Sequence, residues 1–210
     1  VFYPDLIDQT LRILSNVPER CDIYIVCGSA QMLPKIRKRL SLLPNRIGYL
    51  LKEQNRGRDI SSYLVVTRKV LMRYSYVCLI HDKKTASLSE GERFSFFSHC
   101  VRSLLASKAY VSRILEAFDS NPELGILMPP CPPSWKLRKA EYDLELGCRE
   151  WMERLIREFS LNAPLDTTPD APYGDMLWLR TAACRKIFMH DWSFEDFPPE
   201  PEPSLSGSTI

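Results

Sequence analysis

Five short apolar runs punctuate the chain: Asp22 to Cys27, Arg46 to Lys52, Tyr76 to Ile80, Leu124 to Met128, and the stretch from Gly174 to Arg180 with its polar start. Each has the length and character of a strand buried in an α/β sheet. Between them, apolar residues return every three or four positions. That spacing predicts helices over Pro34 to Leu43, Ile60 to Arg73, Phe94 to Leu105, Tyr110 to Ser120, Leu137 to Phe159 and Thr181 to Phe188. A first helix carries Leu6, Leu11, Leu14 and Val17 and is stopped by Pro18. Strand and helix alternate at a spacing of about 25 residues, the signature of βαβ units. The fold class expected is α/β. It is a three-layer α/β/α domain over residues 1–190, with a mostly parallel sheet built from 22–27, 46–51, 76–80 and 124–128. Residues 174–180 should add a strand beside 76–80. Residues 191–210 read as an acidic, proline-rich tail. On the longest helix Trp151, Leu155 and Phe159 form a stripe expected to pack in the core or against another helix.

Two of the runs end in dense polar loops. Tyr76 to Ile80 stops at His81-Asp82-Lys83-Lys84, and the strand before Lys52 leads into Asn55-Arg56-Gly57-Arg58-Asp59. Ligands of open α/β sheets bind beyond the carboxyl ends of the strands, so both loops are placed for chemistry and should share one cleft. Each also has a plainer reading, Asp59 as the N-cap of the following helix and Lys83-Lys84 as a solvated turn.

Composition narrows the classes. With 45% hydrophobic and 26% charged residues and a net charge of +2, the chain suits a globular domain and offers no general attraction for nucleic acid. The basic stretch Lys35 to Arg39 reads as the solvated face of a helix. No apolar run approaches the roughly 20 residues of a membrane span. The opening Val1-Phe2-Tyr3-Pro4-Asp5 does not resemble a signal peptide. The absence of an initiator Met and the abrupt Ser206 to Ile210 end suggest a piece of a longer chain. The seven cysteines form no C-x-x-C pair, and neither they nor the histidines have metal-ligand spacing. Free buried thiols in a reducing, cytoplasmic compartment are expected.

A set of motifs occurs in a fixed order: N-R-G-R-D-I with Tyr63 beyond it, Tyr76-Val77-Cys78-x-x-His81-Asp82-Lys83-Lys84, L-L-A-S at Leu104 to Ser107, G-I-L-M-P at Gly125 to Pro129, G-D-M-L-W-L-R at Gly174 to Arg180 and D-F-P-x-E at Asp196 to Glu200. In this the chain resembles the rhamnan synthesis protein F family, over nearly its whole length. The resemblance implies a GT-A-like nucleotide-diphospho-sugar transferase fold. It implies transfer of L-rhamnose from dTDP-L-rhamnose onto a lipid-linked glycan of a bacterial rhamnan or O-antigen, with peripheral association at the inner membrane face. The segment around Leu137 to Trp151 fits the family pattern poorly.

Such chemistry needs groups for the diphosphate, the sugar and the acceptor proton. The binding candidates are Asn55, Gly57, Arg58, Asp59, His81, Asp82, Lys83, Lys84, Gly174 and Trp178. Many related transferases carry an Asp-x-Asp metal site where this chain has one carboxylate and two lysines. Lys83, Lys84 and Arg58 are therefore expected to replace a metal, while Asp82 leaves a site for Mg²⁺ or Mn²⁺ open. For an inverting reaction the base candidates are Asp196, preferred, with Glu195 and Asp175. The alternative is a nucleotide-sugar or phosphosugar binding domain without catalysis.

Overall fold

Alternation along Ile23–Cys27 puts Ile23, Ile25 and Cys27 on one buried face, and this run is strand β1. Those side chains pack on helices α1 (Ile7–Arg12) and α2 (Leu33–Leu40), through Ile7, Leu11, Ile36 and Leu40. Strand β2 (Ile47–Leu51) lies parallel to β1, with Ile23 opposite Ile47 and Cys27 opposite Leu51. The computed structural model of the protein describes residues 1, 3–82, 90–130, 148–162, 164–165 and 173–199.

Strand β3 (Tyr76–Leu79) belongs to a second set of strands, with β4 (Ile126–Leu127) and β5 (Leu177–Arg180). Here β5 sits in the middle, antiparallel to both neighbours. One face, carrying Tyr76, Cys78 and Trp178, packs on α5 (Glu90–Leu105) and α6 (Lys108–Ser120). The other face carries Val77, Leu79, Leu177 and Leu179 and packs on Tyr63, Leu71 and Phe188. The architecture is thus mixed α/β with small sheets.

The single mostly parallel sheet expected from the sequence is corrected in two respects. Among the described residues, β1 and β3 are not hydrogen-bonded to one another, so there are two strand sets. And β5 runs against β3, with Val77 opposite Leu179. Continuous apolar runs mark burial, not direction. Strand β5 starts at the end where β3 finishes, since the Gly174 carbonyl just before it touches His81 just after β3. It can only run back down the sheet. Strand β4 is two residues long because Pro129 and Pro130 follow, and proline has no N–H to give a ladder.

The helix expected over 60–73 is also broken. It becomes α3 (Arg58–Ser61), a π-helical turn (Ser62–Val66) and α4 (Arg68–Leu71). Thr67 explains the break. Its amide and hydroxyl both donate to the Ser62 carbonyl at 3.0 Å, and the hydroxyl also reaches Tyr63 O at 3.1 Å. Of the helix expected over 137–159, the described part is α7 (Cys148–Glu158). Leu155 is exposed, and Phe159 meets the His190 ring edge-on at 5.3 Å. Lys83, Lys84, residues 131–147 and residues 200–210 lie outside the described residues, as does the Trp151 side chain. Among the described residues no helix is long and apolar enough to cross a membrane. Cys27 and Cys100 are buried free thiols, and Cys21, Cys78 and Cys184 are half-buried free thiols.

Arg180 joins the second strand set to α6. Its guanidinium donates to Phe118 O at 2.6 Å, Asn121 O at 2.9 Å and Leu124 O at 3.1 Å. These carbonyls close the C-terminal end of α6, where a cation also meets the negative end of the helix dipole. The same group lies over the Tyr76 ring at 5.1 Å. Arg180→Ala leaves those carbonyls without their donor. It should lower stability by at least the ~1.5–3 kcal/mol of one charged hydrogen bond, measured by urea denaturation.

Candidate functional site

Three loops meet beyond the ends of β2, β3 and the start of β5. In the first, Lys52 continues the β2 register by donating its amide to Cys27 O at 2.9 Å. Its side chain is buried, and the ammonium donates to the Arg58 carbonyl. The Arg58 amide donates to Asn55 O at 2.8 Å, closing a turn in which Gly57 and Arg58 have φ of 74° and 45°. Consecutive left-handed residues, one of them not glycine, store strain of the kind that collects at functional sites. Gly57 is required for a second reason. A Cβ there would stand 2.5 Å from the Phe197 ring. Arg56 fixes the same contact from the side, donating to Glu195 O at 2.8 Å and to Phe197 O.

The second loop is the turn at His81-Asp82. Nδ1 of His81 lies 2.9 Å from Asp82 O, and Nε2 lies 2.6 Å from Gly174 O and 3.5 Å from Asp59 Oδ2. Asp82 is buried and accepts the Tyr3 amide at 2.7 Å. The third loop repeats the left-handed device, with φ of 64° at Gly174 and 55° at Asp175. Together the loops bring one ligand atom each of Asp59, His81 and Asp175 within 4.8 Å of one another.

Beneath this cluster lies Tyr63, presented by the π-helical turn. It is nine-tenths buried, and its hydroxyl has no hydrogen-bond partner. Burial first, and then the charges of Asp59 and Asp175, raise its pKa well above the usual phenol value. Asp59 Oδ2 is likewise buried without a hydrogen bond. The cluster lines a cavity of about 1030 Å³. Lys52, Asn55, Arg58, Asp59, His81 and Asp175 line it together with residues of β1 and β3 and with Leu11 and Leu14.

Over residues 1–208 the chain matches the profile described as rhamnan synthesis protein F. The chain belongs to the rhamnan synthesis protein F family. No curated protein and no solved structure matches it. Membership connects the chain to rhamnan synthesis, hence to polysaccharide assembly.

In this family member, Asn55, Gly57, Arg58, Asp59, His81 and Asp82 all line the one cavity. Gly174 joins them through its carbonyl. Trp178 reaches the cavity wall from the core, with its indole N–H donated to Leu104 O at 3.0 Å. The base candidates part company. Asp175 is in the cluster, whereas Glu195 and Asp196 are absent from the lining, although Phe197 and Pro198 reach it. Asp196 accepts the Ser193 amide at 2.7 Å and hydroxyl at 2.9 Å, and these bonds hold its carboxyl below the ordinary value. Asp82 offers a metal one carboxylate already engaged by Tyr3. Lys52 and Tyr63 were not singled out by site reasoning from sequence. Lys52 closes an apolar strand just as His81 does, and Tyr63 stands four residues past Asp59, so both carried a signal.

Gly57→Ala tests how the site is assembled. The added methyl meets both the left-handed backbone and the Phe197 ring. The variant should lose about 1–3 kcal/mol and should exchange amide hydrogens faster over 193–199 than the parent chain.

Proposed function

We propose that the chain is a glycosyltransferase of GT-A-like, three-layer architecture that moves L-rhamnose from dTDP-L-rhamnose to a growing lipid-linked glycan at a membrane face. The reading rests on one observation. Three loops from three strand ends converge on Asp59, His81 and Asp175, which line one cavity with Arg58 in a rhamnan synthesis protein F family chain. The acceptor hydroxyl attacks the anomeric carbon as the carbon–oxygen bond to the diphosphate breaks. The bonding electrons leave on the phosphate, and the hydroxyl proton passes to a carboxylate. Arg58 meets the diphosphate as a charge-assisted donor, with Lys83 and Lys84 from the segment beyond His81. The base is assigned to Asp175, the candidate that lines the cavity with Arg58. Asp196 is held on Ser193, and Glu195 is exposed outside the lining.

The engagement of Asp196 also favours a second reading, a domain that binds the nucleotide sugar without transferring it. Single-turnover transfer separates the two. Asp175→Asn should lose about 10²–10⁴-fold in rate, and Asp196→Asn should keep the rate with a small loss of stability. A wild-type chain that binds dTDP-L-rhamnose but transfers nothing would establish the second reading. Arg58→Ala should weaken dTDP binding about tenfold or more by calorimetry, the loss of one charge-assisted bond.

A further inference from the structure

Among the described residues, β1 pairs with β2 and β3 pairs with β5, and each keeps a second edge that no other strand takes. On β1 the odd residues serve β2. Ile23 donates to Arg46 O and Cys27 O accepts from Lys52, each at 2.9 Å. The N–H and C=O groups of Tyr24 and Val26 therefore point the other way. On β3 the ladder to β5 begins at Ser75, whose carbonyl accepts the Thr181 amide at 3.0 Å. By the alternation of an antiparallel pair, the backbone groups of Tyr76 and Cys78 face away from β5. Ile23 to Val26 and Tyr76 to Ile80 all line the cavity. Side chains of consecutive residues alternate between faces, so what both runs share with the cavity is their edge.

The two ends of this slot show that its edges run the same way. Near the start of both strands, the Tyr24 and Tyr74 hydroxyls lie 2.9 Å apart. At the finish, Gly28 donates to Val1 O at 3.1 Å, and the Tyr3 amide donates to the Asp82 carboxylate at 2.7 Å. Strands β1 and β3 are thus parallel and held apart. Val1 shows what fits between them. Its nitrogen donates to Val26 O while its carbonyl accepts from Gly28, the two bonds of a parallel bridge opposite Cys27. An ammonium stands there in the place of a ladder N–H, and burial lowers its pKa.

We propose that the slot seats a further β-strand, joined to the amino side of Val1, parallel to β1 and β3 and hydrogen-bonded to both. Running back from Val1, about four residues at ~3.3 Å apiece reach the Tyr24–Tyr74 contact. On one face they meet Leu11, Leu14 and Val17, and on the other Tyr63 and Leu71. Such a strand is apolar on both faces. A small solute could not match the rows of N–H and C=O on the two edges, whereas a strand matches both. It would join the two strand sets into one sheet of order β2, β1, the new strand, β3, β5, β4. The open space would then be confined to the strand-end loops that hold Asp59, His81 and Asp175. The proposal does not depend on the transferase reading.

The test fuses a short valine–isoleucine run ahead of Val1, with a glycine–serine run of equal length as the reference. Amide exchange followed by NMR should be at least about tenfold slower at Val26 and Cys78 in the first protein, the worth of about one hydrogen bond. Val26→Pro removes an N–H that faces the slot and spares the β2 ladder, so it should cancel the gain at Cys78. If that variant does not fold, the pair of fusions still decides. Equal exchange at both amides in the two fusions overturns the strand. Slow exchange without any fusion, in a chain that sediments as a dimer, gives the slot to a second copy and overturns it as well. No sugar transfer is read, so either result leaves the transferase reading to its own experiment.

Discussion

Gly57 lets the Phe197 ring come to where a side chain would stand, and its left-handed φ reverses the chain into α3. The rest of the site depends on that close approach. It seats the segment from Ser193 to Pro198 on the Asn55 to Asp59 loop, where Arg56 fastens it through two backbone carbonyls. It also sets the start of α3, so that Asp59 faces His81 and Tyr63 is carried beneath both. Arg58 takes up strain in the same turn, and the buried Lys52 ammonium on its carbonyl helps to offset it.

Burying charge at the end of a sheet is costly, and the structure meets that cost by pairing. Lys52 and Asp82, both buried, are bonded to backbone groups, Arg58 O and the Tyr3 amide. Asp59 Oδ2, 3.5 Å from His81 Nε2, and the Tyr63 hydroxyl make no hydrogen bond, and Tyr63 lies in the field of Asp59 and Asp175. Unsatisfied atoms are scarce in folded proteins. Two of them stand close together here, beside two strained turns.

Much of this was legible in the residues. The runs at Ile23–Cys27, Ile47–Leu51 and Tyr76–Leu79 announce their strands by continuous apolarity, and the polar loops after β2 and β3 line one cavity, as expected. The ordered motifs carried the resemblance that family membership now gives. What could not be read depends on distant partners. The antiparallel course of β5 follows from Gly174 meeting His81, far away in sequence. The break in the expected 60–73 helix needs Thr67 to bond back to Ser62 and Tyr63, which competes with helix without changing periodicity. The capping role of Asp196 was local and written in Ser193-x-x-Asp196, yet an acidic pair beside prolines reads equally well as a base.

The central claim is that three loops from separate strand ends make one nucleotide-sugar site. Hydrogen exchange with and without dTDP-L-rhamnose tests it most directly. Peptides covering Asn55 to Tyr63, Ile80 to Asp82 and Gly174 to Trp178 should gain protection together and at the same ligand concentration. Protection confined to one of the three, or found only in helices remote from these loops such as α2, would contradict the account.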